Sequence, residues 1–410
     1  MSTTSRAVHS PTSAVHENSP IIPNEGTWAG RIWLPASRAV NKLAGPRVVA
    51  IREQKVYDLS HRFQTFASLV NASDPVGEIR EAIGTEICSL QELQKSQMGF
   101  EVDENRQEKE QPIILAPNDI LATKACGVTF IRSLLERVIE EKAKGDPQAA
   151  TRVRQTILDT LGNDLSQVKP GSPETEALKA KLIEQGIWSQ YLEVGIGPDA
   201  EIFTKAQPMS SVGYGAQIGI HPKSKWNNPE PEIVLAVSSR GKILGATLGN
   251  DVNLRDFEGR SALLLGEAKD QNGSCAIGPF VRFFDEEFCL EDVENCEVSL
   301  EIRGTDGFHT IGSNKMREIS RSPEELVSQA IGDNHQYPDG FMLFLGTMFA
   351  PTEDRDQAGE GFTHHVGDQV TIASERLGRL VNWVNHANAI PRWEFGITQL
   401  IEYLQRSTQP

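Results

Sequence analysis

The chain has 410 residues, of which 39% are hydrophobic and 23% are charged, a composition typical of a globular protein with a sizeable core. Its 56 acidic side chains outnumber the 40 basic ones and give a net charge of −16. Since nucleic acids and anionic membranes are bound through clusters of lysine and arginine, this balance argues against both as partners.

The five cysteines are scattered, and no two of them form a C-x-x-C pair. This usage argues against a disulfide framework or a zinc–thiolate site and favours a reducing compartment. The sequence has no apolar run of about 18 residues, the length that a membrane-spanning helix needs. The first residues also lack the apolar segment of a secretory signal, so we expect a cytoplasmic protein.

Residues 1–24 are predicted to be a disordered leader. From Thr27 onwards, strand-like runs are followed by a hairpin pattern, PRVVAIREQKVYDL, and by two short helical stretches, FQTFASLVN and SLQELQKSQ. The polar segment 101–112 is interpreted as a linker that closes a small N-terminal domain of residues 25–110. A solvated loop within a single domain is the alternative.

The catalytic domain is expected to span residues 111–410, and it begins with three helical stretches. SLLERVIEEKAKG and PQAATRVRQTILDTLG each end on a glycine. SPETEALKAKLIEQG begins with Ser172 as a candidate N-cap and ends on Gly186. Beyond Ser189, short β-rich runs alternate with Gly, Pro and Asn turns, which predicts a coiled or barrel-like sheet.

Two glutamates stand at the start of a strand-like run, in WNNPEPEIVLAV. Because side chains alternate across a strand, Glu230 and Glu232 face the same way and repel each other unless a cation lies between them. Asp251 follows 19 residues after Glu232, where a strand–turn–strand would return it beside the pair. Three carboxylates suit a hard cation such as Mg²⁺, Mn²⁺ or Ca²⁺. A solvated pair of glutamates at a strand start is the alternative.

Lys269 lies 18 residues past Asp251, after an apolar run and before a Gly/Ser/Asn-rich loop. In the same cavity its ammonium would stabilise an enolate or bind a carboxylate, whereas a surface lysine is the alternative. The histidines show no ligand spacing. His364 and His365 lie in a Gly-rich loop, where we expect them to be solvated rather than to form a lid.

The ordered motifs E-P-E, G-N-D-V-N-L-R-D, G-E-A-K-D, G-P-F and L-G-T-M-F-A-P resemble those of the fumarylacetoacetate hydrolase superfamily. They look most similar to its branch of 2-keto-3-deoxy-pentonate dehydratases, from about Trp28 to the C-terminus. The resemblance implies an α+β fold with a small N-terminal α/β domain and a C-terminal mixed β-roll. It also implies a homodimer or homotetramer that binds Mg²⁺ and a small 2-keto acid.

The resemblance further assigns individual roles, in which acidic residues hold the metal and a glutamate and a lysine act on the substrate. The residues are, for the metal, Glu230, Glu232 and Asp251; for catalysis, Glu201 and Lys269; and for substrate binding, Thr347 and Lys205.

One stretch departs from the family pattern. Hydrolase members carry G-x-N-Y-x-x-H-x-x-E, in which a His–Glu pair activates water, whereas this chain has Ser133 at the position of the histidine. A serine does not act as a base near neutral pH without a partner, so hydrolysis loses its water-activating group. Ser133 is therefore expected to contact the substrate, and Glu136 remains as a catalytic residue.

The resemblance and the carboxylate pattern together predict a dehydratase that removes water from a 2-keto-3-deoxy sugar acid and forms 2,5-dioxopentanoate, in oxidative pentose catabolism. Glu201, or else Glu136, would remove a C3 proton before the C4 hydroxyl leaves. An acylpyruvate-type C–C hydrolase or an oxaloacetate decarboxylase on the same fold is the first alternative. A non-catalytic binding protein is the second.

Overall fold

The computed structural model describes residues 20–97, 110–130, 134, 137–138, 152, 155, 170–186, 188–351, 353–357 and 361–407. These residues form many short strands with helices between them, as the α+β prediction requires. No helix in these ranges is long and apolar enough to cross a membrane.

The strands are, in chain order, β1 Thr27–Leu34, β2 Gly45–Arg52, β3 Lys55–Asp58, β4 Thr85–Ser89, β5 Ile113–Leu115, β6 Ala122–Gly127, β7 Glu201–Ala206, β8 Gln217–Ile220, β9 Asn227–Asn228, β10 Pro231–Val237, β11 Ile243–Asp251, β12 Asn253–Leu254, β13 Cys275–Phe283, β14 Glu297–Arg303, β15 His309–Lys315, β16 Phe341–Phe344, β17 Gln369–Ser374 and β18 Gly378–His386.

The α-helices of the described ranges are α1 Phe66–Val70, α2 Pro75–Glu81, α3 Leu90–Lys95, α4 Pro173–Glu184, α5 Gln190–Ile196, α6 Arg255–Glu258, α7 Leu265–Lys269, α8 Leu290–Glu294, α9 Pro323–Ala330 and α10 Ile397–Ser407.

Two sheets organise the molecule. The larger one has the strand order β4-β3-β2-β1-β13-β11-β10-β16-β6-β7, with β5 paired to β1, and the smaller one has the order β15-β14-β17-β18-β8. The pairs β16–β6 and β18–β8 are parallel, whereas β10–β11 and β11–β13 are antiparallel, so both sheets are mixed as predicted. Strands β10, β11 and β13 contact β14, β17 and β18 of the smaller sheet, and the two sheets therefore pack against each other.

The predicted domain boundary near residue 110 falls between α3 and β5. Strand β1, on one side of this boundary, pairs with β13, on the other side, within a single sheet. The division into a leader, a small N-terminal domain and a catalytic domain stays a prediction. Residues 1–19 of the proposed leader and residues 101–109 of the proposed linker lie outside the described residues.

Several local predictions are confirmed. Strands β2 and β3 form the expected hairpin, and α1 and α3 lie in the two short helical stretches. Helix α4 begins after Ser172, whose side chain accepts a hydrogen bond from the Thr175 N–H at 3.2 Å. The other two helices predicted before residue 170 lie almost entirely outside the described residues.

The hairpin β10–β11 lies at the centre of the core. Its apolar runs are continuous rather than alternating, which is typical of a strand that is covered on both faces. Ile233 and Leu235 share a hydrophobic cluster with side chains of β14. Val234 and Ala236 point the other way and share a second cluster with Phe66 of α1. Polar side chains at the end of this hairpin must therefore find partners within the protein.

Candidate metal and active site

The end of the β10–β11 hairpin brings three carboxylates together. Glu230 precedes β10, Glu232 lies within it, and Asp251 ends β11. The register pairs Pro231 with Asn250, so Glu230 stands opposite Asp251, whose N–H donates to the Glu230 carbonyl at 3.0 Å. One oxygen of each carboxylate lies within 4.8 Å of the other two, and all three residues are buried. The structure thus places the three predicted ligands in one cluster.

Glu232 is held by the loop that follows β16. The Gly346 N–H donates to one carboxylate oxygen at 2.7 Å, and the Thr347 hydroxyl donates to the other at 3.3 Å. Gly346 has a φ of 101°, and a Cβ there would collide with Thr129, so this approach requires glycine. Burial, and then the negative charges of the two neighbouring carboxylates, raise the pKa of Glu232 well above its usual value.

Lys269, the last residue of α7, reaches the same carboxylates. Its ammonium lies 2.5 Å from Glu230 and 3.0 Å from Asp251. Burial alone would lower the pKa of Lys269, but Asp251 and Glu230 outweigh this effect and raise it. The Lys269 ammonium therefore lies against two of the three carboxylates, close to the cluster as the sequence analysis expected.

Lys205 lies on β7, behind Asp251. Its side chain is completely buried, and its ammonium lies 2.8 Å from Asp251 Oδ1. It also donates to the carbonyl oxygens of Val252, at 3.3 Å, and of Lys269. These partners are protein groups, which differs from the substrate contact that the resemblance implied.

Glu201, the first residue of β7, pairs in register with Gly127 of β6. A Cβ at Gly127 would collide with the Glu201 carboxylate, so glycine leaves room for this side chain. Burial, and then the charge of Glu258, raise the pKa of Glu201. A carboxyl group with a raised pKa suits acid–base chemistry near neutral pH.

Two of the predicted site residues, Ser133 and Glu136, lie outside the described residues.

Three residues that the sequence analysis did not single out surround Glu230. Arg137 lies 3.0 Å from Glu230 and 2.9 Å from Glu258. The Asn253 amide donates to the same two carboxylates, at 3.0 Å and 2.5 Å. Burial alone would raise the pKa of Glu258, but Arg137 and Lys269 outweigh it and lower this pKa to about 2.

The chain offered a signal for two of these three residues. Asn253 and Glu258 stand in the stretch GNDVNLRDFEGR, next to the predicted ligand Asp251. Arg137 lies 93 residues before Glu230, so no local pattern connects it to the carboxylates.

The charged side chains in and around the three-carboxylate cluster include more acids than bases. They are the acids Glu201, Glu230, Glu232, Asp251 and Glu258 and the bases Arg137, Lys205 and Lys269. The neighbouring carboxylates of Asp251 and Glu230 add to the effect of burial on the pKa of Glu232, and a divalent cation would relieve this repulsion. The carboxylate oxygens of the three hairpin residues are the donors that Mg²⁺, Mn²⁺ and Ca²⁺ prefer. The residues present therefore fit a hard divalent cation.

The expectation of solvated loop histidines is wrong for His364. Its side chain is fully buried, and Nδ1 lies 3.1 Å from Asp368 Oδ2. Burial lowers the pKa of His364 despite this carboxylate. His365 is partly exposed, and its ring nitrogens lie 3.1 Å from Asp306 and from Asp356. The carboxylate of Asp368 gives His364 a partner inside the protein, which its neighbouring glycines did not indicate.

The described residues combine an α+β fold with three buried carboxylates and an adjacent lysine, and these carboxylates are donors that suit a hard divalent cation. A family model described as the C-terminal domain of fumarylacetoacetate (FAA) hydrolase matches residues 184–385, which include the three hairpin carboxylates, Lys269 and Thr347. The chain belongs to the fumarylacetoacetate hydrolase family, as its motifs predicted.

Two curated relatives and one solved structure are similar to this chain. The 2-dehydro-3-deoxy-D-arabinonate dehydratase of Saccharolobus solfataricus is 32% identical over 235 residues, which are 57% of this chain and 73% of the relative. A probable 2-keto-3-deoxyxylonate dehydratase of Haloferax volcanii is 33% identical over 206 residues, 50% of this chain and 67% of the relative. A structure of 2-keto-3-deoxy-D-arabinonate dehydratase complexed with magnesium and 2,5-dioxopentanoate has the same fold, with a TM-score of 0.57, 21% identity, and coverage of 88% of this chain and 99% of the other.

Proposed function

We propose that the protein is a metal-dependent dehydratase that removes water from a 2-keto-3-deoxy-D-pentonate and forms 2,5-dioxopentanoate. The observation that carries this proposal is the buried cluster of Glu230, Glu232 and Asp251, with the Lys269 ammonium against two of its members. Relatives that are named dehydratases, at 32% and 33% identity, support the reaction class. Such a product would place the enzyme in oxidative pentose catabolism.

Glu230, Glu232 and Asp251 are the proposed metal ligands, and Mg²⁺ is the proposed cation. A divalent cation bound there would supply Lewis acidity toward the carboxylate and adjacent ketone of a 2-keto acid. The fold neighbour complexed with magnesium supports the choice of Mg²⁺, and the same oxygen donors also fit Mn²⁺ and Ca²⁺.

Glu201 is the proposed base that removes a proton from C3. The pKa of Glu201 is raised toward neutral pH, and a general base is most effective when its pKa lies near the working pH. The Lys269 ammonium is proposed to stabilise the negative charge that develops on the C2 oxygen. The Thr347 hydroxyl donates to Glu232 in this structure, and it is proposed to turn its single O–H to the substrate carboxylate when substrate binds.

The elimination conserves every atom of the substrate. The C3–H and C4–O bonds break, a C3=C4 double bond forms, and the hydroxyl leaves as water with the proton taken from C3. The product still carries the C5 hydroxyl, and its tautomerisation gives the C5 aldehyde of 2,5-dioxopentanoate. Substrate contact by Ser133, catalysis by Glu136, a cytoplasmic location and a homodimer or homotetramer stay predictions.

Two observations favour the dehydratase over a C–C hydrolase on the same fold. The chain has Ser133 where family hydrolases carry the histidine that activates water. In the loop with the two candidate replacement histidines, His364 is buried against Asp368, and His365 pairs with Asp306 and Asp356. A buried, paired imidazole is a poor candidate for a mobile base.

A substrate screen tests the proposal. Purified protein with Mg²⁺ is incubated in separate reactions with 2-keto-3-deoxy-D-pentonate, its L enantiomer, an acylpyruvate and oxaloacetate, and the products are measured by NMR. We expect 2,5-dioxopentanoate from a keto-deoxy acid, loss of turnover in EDTA, and recovery when Mg²⁺ is restored. Cleavage of the acylpyruvate without turnover of either pentonate would contradict the proposal, and the two enantiomers report which C4 configuration the enzyme accepts.

A further inference from the structure

We infer that Lys205 is a positioning residue that fixes Asp251 and Lys269 relative to each other, and that it does not contact the substrate. The inference deepens the proposed function, since it takes Asp251 as a metal ligand and Lys269 as an active-site residue. Its basis is the set of contacts that the Lys205 ammonium makes.

The Lys205 ammonium lies where three segments of the chain meet. It contacts Asp251 Oδ1 at 2.8 Å and the Val252 carbonyl at 3.3 Å, both at the end of the hairpin. It also donates to the carbonyl of Lys269, and it lies 3.4 Å from the Ser274 hydroxyl, near the start of β13. An ammonium has three N–H donors, and the Val252 carbonyl, the Lys269 carbonyl and the Ser274 hydroxyl accept from them, while the contact with Asp251 is an ion pair. Because the side chain is fully buried, a substrate has no access to it.

The strand β7 explains how one element serves two purposes. Side chains two residues apart share a face of a regular strand, so Glu201 and Phe203 point the same way. At Lys205 the register of β7 against β6 shifts by one residue, and regular alternation ends there. Glu201 is partly exposed, whereas Lys205 is fully buried. Phe203 lies between them, with its ring 5.8 Å from the Lys269 ammonium. Strand β7 therefore carries the proposed acid–base group, Glu201, at its first residue and the buried Lys205 near its last.

Lys205 connects Asp251 to Lys269 by a second route, besides their direct ion pair. Lys205 holds Asp251 Oδ1, while the Lys269 ammonium lies 3.0 Å from Oδ2. The Ser274 hydroxyl donates to the Lys269 carbonyl at 2.8 Å and so strengthens the same junction. Helix α7 has only five residues, and a helix this short is not stable without tertiary contacts. The anchor at its last carbonyl thus determines where the Lys269 side chain begins.

Positioning and simple electrostatics predict opposite effects on metal affinity. If Lys205 only added positive charge, its removal would make the cluster more negative and tighten the binding of a cation. If Lys205 orients Asp251, its removal would weaken binding, as the loss of a group behind a metal ligand commonly costs about 10- to 100-fold in affinity.

The test compares Lys205→Met with a matched control, Lys124→Met. Lys124 lies on the adjacent strand β6, and its ammonium contacts the Thr204 hydroxyl at 3.0 Å. The Kd for Mn²⁺ is measured by EPR without substrate, and kcat and KM are measured with the pentonate. We expect Lys205→Met to raise the Kd about 10-fold or more and to lower kcat with little change in KM. We expect Lys124→Met to match the wild type.

Hydrogen exchange gives a second readout that needs neither metal nor turnover. In Lys205→Met we expect faster amide exchange across residues 265–274 than in the wild type or in Lys124→Met. An unchanged or lower Kd, together with a raised KM and unchanged exchange, would overturn the inference in favour of a substrate contact. Failure of the wild type to act on the pentonate would count against the proposed function but would leave the exchange comparison valid.

If Lys205→Met does not fold, the same measurements are made on Ser274→Ala. This variant removes only the hydroxyl that contacts Lys205 and donates to the Lys269 carbonyl. Faster exchange across residues 265–274 and a higher Kd for Mn²⁺ would support the inference that these contacts position Asp251 and Lys269. Exchange and Kd equal to those of the wild type would overturn it.

Discussion

The carboxylate cluster at the end of β10–β11 and the loop around Asp368 are both buried, but they neutralise their charge differently. Asp368 accepts from Arg355 at 2.6 Å and 2.7 Å and from the His365 N–H at 2.9 Å, and it lies 3.1 Å from His364 Nδ1. Burial alone would raise the pKa of Asp368, but Arg355 and His364 outweigh it and lower this pKa to about 2.

Glu232 shows the opposite balance. The Gly346 N–H and the Thr347 hydroxyl donate to it, while two other carboxylates lie within reach and its pKa is raised. Asp368 and Glu232 are equally buried, so burial does not separate them. The two carboxylates differ in the number of hydrogen-bond donors around them. The donors around Asp368 complete a structural network, whereas Glu232 has fewer donors and is left with a place for a cation.

The largest effect is expected when the cluster loses one carboxylate. Glu232→Gln keeps the size of the side chain but removes a charge and a metal-binding oxygen. We expect kcat/KM for the pentonate to fall about 10³-fold, equivalent to about 4 kcal/mol, because metal ions supply several kcal/mol of transition-state stabilisation. Mn²⁺ titration should show weakened binding. If this variant keeps the turnover and the Mn²⁺ affinity of the wild type, the carboxylate cluster does not differ from the Asp368 loop in binding a metal.

The matching change in the other region is Asp368→Asn, and it should affect stability instead of metal binding. The Arg355 side chain is 1% exposed, so the variant leaves a buried cation without its main counter-ion. We expect a loss of about 3 kcal/mol in the free energy of unfolding at pH 7, measured with urea. The Kd for Mn²⁺ should equal that of the wild type. A stable variant with weakened Mn²⁺ binding would reverse the roles of the two regions.

The contribution of Asp368 to the free energy of unfolding depends on pH. The pKa of Asp368 is about 2 in the folded protein and about 3.9 in an unfolded chain. A lowered folded-state pKa contributes stability above the unfolded value, and this contribution, on the order of 2 to 3 kcal/mol, disappears as the pH falls from about 4 to 2. The stability difference between the wild type and Asp368→Asn should therefore shrink over that range.

A smaller effect is expected from Gly127→Ala, which adds a methyl group against the Glu201 carboxylate. Displacing the proposed base by about 1 Å should lower kcat about 10²-fold, with the Kd for Mn²⁺ unchanged. Gly332→Ala is the control, since a Cβ at Gly332 meets nothing within 4 Å. Equal activity of both variants would show that the position of Glu201 does not limit turnover.

The smallest effect concerns the acidic limb of the pH–rate profile. Glu201 must be ionised to act as a base, so kcat/KM should rise with pH through its pKa, which burial and then the charge of Glu258 raise. Glu258→Gln removes that charge and should move the limb to lower pH. Profiles of both proteins at saturating Mg²⁺ check this, and a limb that moves to higher pH would exclude Glu201 as the titrating base.

The sequence predicted the parts of the site that are close together in the chain. Glu230, Glu232 and Asp251 belong to one hairpin, in which strand periodicity determines the facing of side chains. Ser172 was recognisable as an N-cap from its own neighbours. Arg137 and the buried state of His364 depend on contacts with distant segments or on a loop without periodicity, so no pattern indicated them. The pairing of β1 with β13, which joins Thr27 to Phe283, is beyond local sequence for the same reason.

The hydrogen-bonded pairing of β10 with β11 positions the three carboxylates, so it also restricts which insertions and deletions the site can tolerate. Inserting one residue within Pro231–Val237 would turn the side chains on one side of the insertion to the opposite face and separate the oxygen donors. The connecting turn, residues 238–242, lies at the far end of the hairpin, where an added residue changes only a loop. Natural length variation near this centre is therefore expected to collect in that turn and to be absent from the paired strands.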